Sequence, residues 1–140
     1  MAETKYGKYI ITDVKPKKMA PWDPRFTLEE LIPLPRLDSG IIKGAFYVDS
    51  GWMLPAFAKE LRGESHVHDF DEVIAFFGSD PQNPHDLGAV ADVHIGDEVH
   101  TVTKSCLIFV PKGLKHGPID FKKIDRPIIH FACGIAEKYF

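Results

Sequence analysis

The chain reads as an all-β domain, a sandwich or barrel, on three observations. Short apolar runs rich in β-branched and aromatic residues follow one another along most of its length. Clusters of Gly, Pro, Asn and Asp separate them. One persuasive helix start precedes them, and no alternation of strands with long helical patterns follows. At 140 residues and 44% hydrophobic, the chain has the size of one domain with its own core.

Residues 1–36 are expected to form an irregular arm packed on a barrel of residues 37–140. The arm is rich in proline between Pro16 and Pro35, and Trp22 and Phe26 supply the aromatics that would seat it. One short helix is expected from Thr27, which can cap it, with Glu29 and Glu30 in the first turn and Pro33 and Pro35 ending it. Strands are expected at 9–12, 40–48, 66–77, 90–94, 98–102, 105–110 and 126–133, and a second helical turn near 56–61. Gly78-Ser-Asp-Pro81 with Asn83-Pro84, Gly96-Asp97, Pro111-Lys-Gly113 and the charged run Lys122 to Asp125 mark the corners.

Seventeen basic residues against twenty acidic ones give a net charge of −3, and no basic stripe offers a track for phosphates. Nucleic acid is therefore not an expected partner. No run reaches the roughly 18 apolar residues that a membrane span needs, and the start carries lysines without an apolar signal region. The expectation is a cytoplasmic protein without a membrane partner. Cys106 and Cys133 sit in apolar, strand-like runs without a CxxC pattern, and read as two buried free thiols.

The segment His66-Val-His68-Asp-Phe-Asp-Glu72 carries the strongest chemical signal. Residues two apart on a strand share a face, so His66 and His68 can present both imidazoles to one point. Glu72 has the same parity and returns to that face if the strand bends at residues 69–71. Downstream, Pro111 and Gly113 favour a tight turn that would send His116 back inward as a fourth ligand. Three neutral imidazoles and one carboxylate suit a divalent first-row metal and leave about two positions open. Asp69 and Asp71 fall on the opposite parity and read as solvated.

These two segments resemble the two signature motifs of the cupin superfamily. The first reads Gly63, His66, His68, Glu72, Gly78, with both outer gaps shorter than usual. The second reads Ser105, Pro111, Gly113, His116, Asp120, with Ser105 in place of the usual Gly and Asp120 in place of the usual Asn. The resemblance implies a double-stranded β-helix, or jelly roll, with one divalent transition metal (Fe, Mn, Ni, Co or Zn) near one end of the barrel, and a homodimer as such proteins often form.

Beyond the ligands, His130 is polar within the apolar run 126–133 and is a candidate acid–base group or a hydrogen-bonded core histidine. Tyr47 and Trp52 could line a substrate pocket, and Arg62 could grip a substrate carboxylate. His85, His94 and His100 match no ligand spacing and read as surface or loop residues. Open metal positions would accept a small molecule with an oxygen pair, such as a hydroxy acid, keto acid or enediol. The function expected is a metal-dependent enzyme on such a metabolite, with dioxygenase, isomerase, decarboxylase and lyase unresolved. The alternative is a non-catalytic cupin that binds or senses a small molecule.

Overall fold

The computed structural model describes residues 4–12, 28–58 and 64–136. Their strands are β1 (Leu31–Pro33), β2 (Tyr47–Met53), β3 (Glu72–Gly78), β4 (Asp86–Ile95), β5 (Glu98–Lys104), β6 (Cys106–Val110), β7 (His116–Ile124) and β8 (Ile128–Gly134). They form two antiparallel sheets, of order β1-β2-β8-β3-β6 and β5-β4-β7. An antiparallel bridge between His66 and His116 lays the first motif along the free side of β7. With His66 counted as a strand, β2-β8-β3-β6 faces His66-β7-β4-β5. That order is two interleaved Greek keys, the jelly roll or double-stranded β-helix.

Pleat parity decides what fills the space between the sheets. Tyr47, Asp49, Gly51 and Met53 of β2 oppose Gly134, Ala132, His130 and Ile128 of β8, and these oppose Glu72, Ile74, Phe76 and Gly78 of β3. Leu87, Ala89, Ala91 and Val93 of β4 face them from the smaller sheet, all buried. Running along β3 from Glu72 to Gly78, and along β7 from His116 to Ile124, leads from polar side chains to a largely apolar end. Leu87, Ile124, Ile128 and Phe121 close that end, with Phe121 edge-on to Phe76 and Phe57. The polar groups are left at the other mouth.

Several expected boundaries move. Thr27 lies outside the described residues, but 28–30 form a turn and Leu31–Pro33 a strand where the short helix was expected. A helix so short cannot satisfy its own amides, whereas pairing with β2 places Leu31 opposite Met53 in the core. Residues 9–12 form no strand; Gly7–Tyr9 is a 3-10 turn. The strand expected at 40–48 starts only at Tyr47, because Asp38 accepts the amides of Gly40, Ile41 and Ile42 and turns the chain there. Where the helical turn near 56–61 was expected, the described residues form a 3-10 turn at Pro55–Phe57, and 59–61 lie outside the described residues. No helix among the described residues is long and apolar enough to cross a membrane.

Candidate metal centre

The run 66–77 is not one strand. His66 pairs with β7, while Glu72 opens β3 in the other sheet. The chain crosses between the two sheets at residues 69–71, which is the bend that parity required, and carries the carboxylate to the facing wall. Two hydrogen bonds pin His66 to His116, N to O at 2.8 Å and the reciprocal N to O at 3.0 Å. The Gly113 amide donates to the His68 carbonyl at 2.9 Å, and the Lys112 amide to Asp71 Oδ1 at 2.8 Å. Asp71 is exposed, as expected, yet it fastens the second motif's turn to the first motif.

His116 reaches the interior through a bulge. Val93 opposes Ile119 and Ile95 opposes His116, so β7 spends three residues where β4 spends two. Without that extra residue, His116 and the inward Phe121, five apart, would face opposite ways. Gly117 takes φ +85° there and precedes a cis bond to Pro118. A Cβ at Gly117 would lie 3.1 Å from the Glu64 carbonyl oxygen and 3.5 Å from the His66 ring. Glycine thus meets both the conformation and the close approach.

One candidate ligand nitrogen from each of His66, His68 and His116 lies within 4.8 Å of the others. The ring centroids are 4.3 to 5.0 Å apart. His66 Nδ1 is 3.1 Å from the Glu64 carbonyl and His116 Nδ1 is 2.9 Å from that of Leu114. A carbonyl only accepts, so both Nδ1 atoms carry the proton and each Nε2 of the neutral rings keeps its lone pair for an ion. His68 is stacked on Phe70, with centroids 4.6 Å apart. Glu72, 2% exposed, brings Oε1 to 3.3 Å from His116 Nε2 and Oε2 to 3.7 Å from His68 Nε2.

His116 Nε2 is buried and has no well-aligned hydrogen bond; the 3.3 Å approach to Glu72 is an ion-pair contact. A buried nitrogen of that kind, beside two more imidazoles and a carboxylate, is what a divalent ion would satisfy. The three imidazoles therefore fit one metal ion between them, with the Glu72 carboxylate set against two of them.

The electrostatics agree with a site built around one anion. Burial raises the Glu72 pKa, but His116, the Tyr47 hydroxyl and the nearby charge of His68 together overcome it and hold Glu72 low. Burial works against a charge on His116; contact with Glu72 and the Leu114 carbonyl outweigh it, and its pKa is raised. For His68, burial wins over the attraction of Glu72 and the pKa is lowered.

The other expected residues disperse. Tyr47, 1% exposed, donates its hydroxyl to Glu72 Oε2, so it supports that candidate ligand. Trp52 is one residue out of phase with Tyr47 and stands, opposite Ile129 and Ile32, on the outer face of the large sheet, away from the barrel interior. Arg62 and Gly63 lie outside the described residues. His130 points inward but pairs with Phe76, four residues along β3 from Glu72, or about 13 Å of strand. Its Nδ1 donates to the Ala75 carbonyl at 3.0 Å, its ring stacks on Phe76, and burial lowers its pKa. These are the features of a neutral core histidine. His85 and His100 are exposed, with His100 on Glu98 at 2.8 Å, and His94 is half-buried. Cys106 and Cys133 are free thiols, half-buried rather than buried.

Ser105 replaces the motif glycine with a function of its own. Its hydroxyl accepts from the Gly78 amide at 2.9 Å and donates to the Pro84 carbonyl at 2.7 Å. Asp120 lies opposite Asp92 on β4, with Lys122 paired to both. One inward charge was missed. Asp49 shares the face of Tyr47, and burial raises its pKa against the pull of Arg36, whose Nε is 3.3 Å away. Extending β2 past Val48 with period two would have placed it inside.

No family model matches the chain, and no curated protein does. Among solved structures, an RmlC-like cupin from Shewanella frigidimarina is 13% identical, with a TM-score of 0.49 over 91% of this chain and 86% of its own. TT1209 from Thermus thermophilus is 17% identical at TM-score 0.48, over 79% and 88%. An oxalate oxidase in complex with the substrate analogue glycolate is 12% identical at 0.48, over 80% and 54%. The fold rests on the chain's own strand order: two four-stranded faces in jelly-roll sequence, with both motif segments meeting at one mouth between them, give this chain the cupin fold.

Proposed function

We propose that the chain is a metal-dependent enzyme that holds one divalent transition ion on His66, His68, His116 and Glu72 and acts on a small metabolite bearing a chelating oxygen pair. The observation that carries this reading is the convergence of the three histidines on one point, with His66 and His116 oriented through Nδ1 by carbonyls and Glu72 set against His68 and His116. A bound ion would supply Lewis acidity toward the substrate's oxygens. Tyr47 keeps Glu72 anionic and fixes its rotamer. The Glu64 and Leu114 carbonyls hold the two imidazoles in one tautomer, which spares the site reorganisation during reaction. Phe70 covers the His68 ring and limits water on that side.

The test is elemental analysis of protein purified without chelator, followed by turnover of a panel of hydroxy acids, keto acids and enediols. One metal per chain and a turnover lost in His66→Ala is the expected result. Metabolite binding without turnover would move the chain to the small-molecule-binding class, and a wild-type chain that retains no metal under saturating conditions would refute the site itself.

A further inference from the structure

Resting on the reading above, we propose that Asp49 selects the far end of the substrate: its carboxyl group accepts a hydroxyl or ammonium donor on the tail of a chelating 2-hydroxy acid, and the site rejects a tail that ends in a second carboxylate. Asp49 stands on β2 two residues from Tyr47 and on the same face. Across the large sheet, Tyr47, Gly134 and Glu72 form one level; Asp49, Ala132 and Ile74 form the next, about 7 Å further into the barrel. Glycine at 134 lets the Tyr47 ring cross β8, since a Cβ there would lie 2.8 Å from the Tyr47 hydroxyl oxygen. At the level of Asp49, the residue opposite it on β8 adds only the methyl group of Ala132. Strand β2 faces the His66 segment across the barrel, so Asp49 borders the same space as the histidines.

Arg36 reaches Asp49 from the chain that follows β1 along the edge of β2. The Leu37 amide donates to the Val48 carbonyl at 2.9 Å and the Val48 amide to the Leu37 carbonyl at 2.8 Å, which sets Arg36 beside Asp49 and on its face. Arg36 Nε lies 3.3 Å from Asp49 Oδ1, and Arg36 Nη2 donates to Asp38 Oδ2 at 2.8 Å. One guanidinium thus serves two carboxylates. Burial is the chief cause that raises the Asp49 pKa; Arg36 opposes it, and the charges of Asp38 and Glu72 add to it, so Asp49 and Glu72 feel each other across the site. The Asp49 side chain is only 15% exposed, and among the described residues no hydrogen bond reaches its oxygens. An inward carboxyl group left in that state calls for a donor.

The chemistry of the donor defines the substrate class. A carboxylate only accepts, so a hydroxyl or an ammonium group on the tail satisfies it, a methyl group does not, and a second carboxylate is repelled. Arginine is the residue that ordinarily grips a substrate carboxylate in a forked contact, but Arg36 is turned to Asp38 and Asp49. The spacing of about 7 Å between the levels of Glu72 and Asp49 suits a four-carbon acid whose carboxylate and 2-hydroxyl form the chelating pair and whose C4 substituent meets Asp49.

Calorimetric titration of the metal-loaded full chain tests it, after its metal content has been measured. The probes are acids that differ only at C4: 2-hydroxybutanoate (methyl), 2,4-dihydroxybutanoate (hydroxyl), 4-amino-2-hydroxybutanoate (ammonium) and malate (carboxylate). The hydroxyl or the ammonium acid should bind at least about tenfold tighter than the methyl acid, and malate more weakly than the methyl acid. Asp49→Asn, which keeps the size and removes the charge, should bring malate to within about threefold of 2-hydroxybutanoate, and Asp49→Ala should abolish the preference for a donor tail; both should hold metal within about twofold of wild type. Equal binding of all the acids, malate bound tightest, or a ranking unchanged in Asp49→Asn would each overturn the proposal, as would variants that weaken every acid alike, the mark of a merely structural residue. A chain that takes up no metal refutes the ligand set and this proposal with it, whereas metal uptake without the tail preference refutes the role of Asp49 alone.

Discussion

Replacing Tyr47 by Phe removes one hydroxyl and keeps the ring that packs edge-on against Phe70 inside the barrel. No cavity opens, so the cost falls on Glu72, whose Oε2 loses its Tyr47 donor. A hydrogen bond to a charged group contributes about 1.5–3 kcal/mol. Glu72 keeps its contacts to His116 and His68, which argues for the middle of that span, about 2 kcal/mol. At about 1.4 kcal/mol per decade that is roughly 30-fold in metal affinity, within the ~10–100-fold found when the partner of a metal ligand is removed. Competition titration against a chromophoric chelator at fixed pH measures it, and circular dichroism confirms the fold. Tyr47→Phe protein that binds metal within about twofold of wild type would refute the idea that the hydroxyl positions Glu72.

Metal affinity should rise with pH, by up to about tenfold per unit below the raised pKa of His116, and level off above it, because the ion must displace the imidazolium proton; calorimetry in buffers of different ionisation enthalpy reads the proton released. In the metal-free protein the same pair gives a window. His116, raised, stabilises fully below its ordinary pKa near ~6.5 and loses this as pH climbs through the folded value; Glu72, lowered, stabilises above ~4.5 and loses this as pH falls through its folded value. The melting difference between wild type and Glu72→Gln, followed with chelator present, should therefore be greatest between about pH 4.5 and 6.5. Gly78→Ala should cost at least about 2 kcal/mol, because the added Cβ would lie 2.0 Å from the Asp86 carbonyl oxygen and force β3 from β4; an unchanged melting temperature would show that the close approach is not needed.

The four candidate ligand residues were legible because metal chemistry restricts residue type and strand geometry restricts spacing: His66 and His68 share a face by period two, and the Pro111–Gly113 turn returns the chain toward His68. Four strands of the second half were legible for a similar reason, whereas no run was expected over β7 (His116–Ile124). Short apolar runs between strong turn signals placed β4, β5, β6 and β8 to within a few residues. Strand β2 was harder, since Asp49, Ser50 and Gly51 interrupt its apolar character; its pairing with β8 supplies the hydrogen bonds that local propensity does not.

The sequence by itself determined the chemistry on offer: which side chains could bind a metal, that the chain is all-β, and where most of its corners fall, although Lys122 to Ile124, expected at a corner, belong to β7. Tertiary structure alone decided how those side chains meet. Glu72 belongs to a different sheet from His66, the extra residue in β7 turns His116 inward, and Tyr47 holds Glu72. Each is a contact between segments distant along the chain, set by register across strands, and a one-residue change in register reverses the face on which a side chain stands. Period two therefore predicts faces only within an uninterrupted strand. At the bend of residues 69–71 and at the Gly117–Pro118 bulge, the packing of two sheets against each other settles the face.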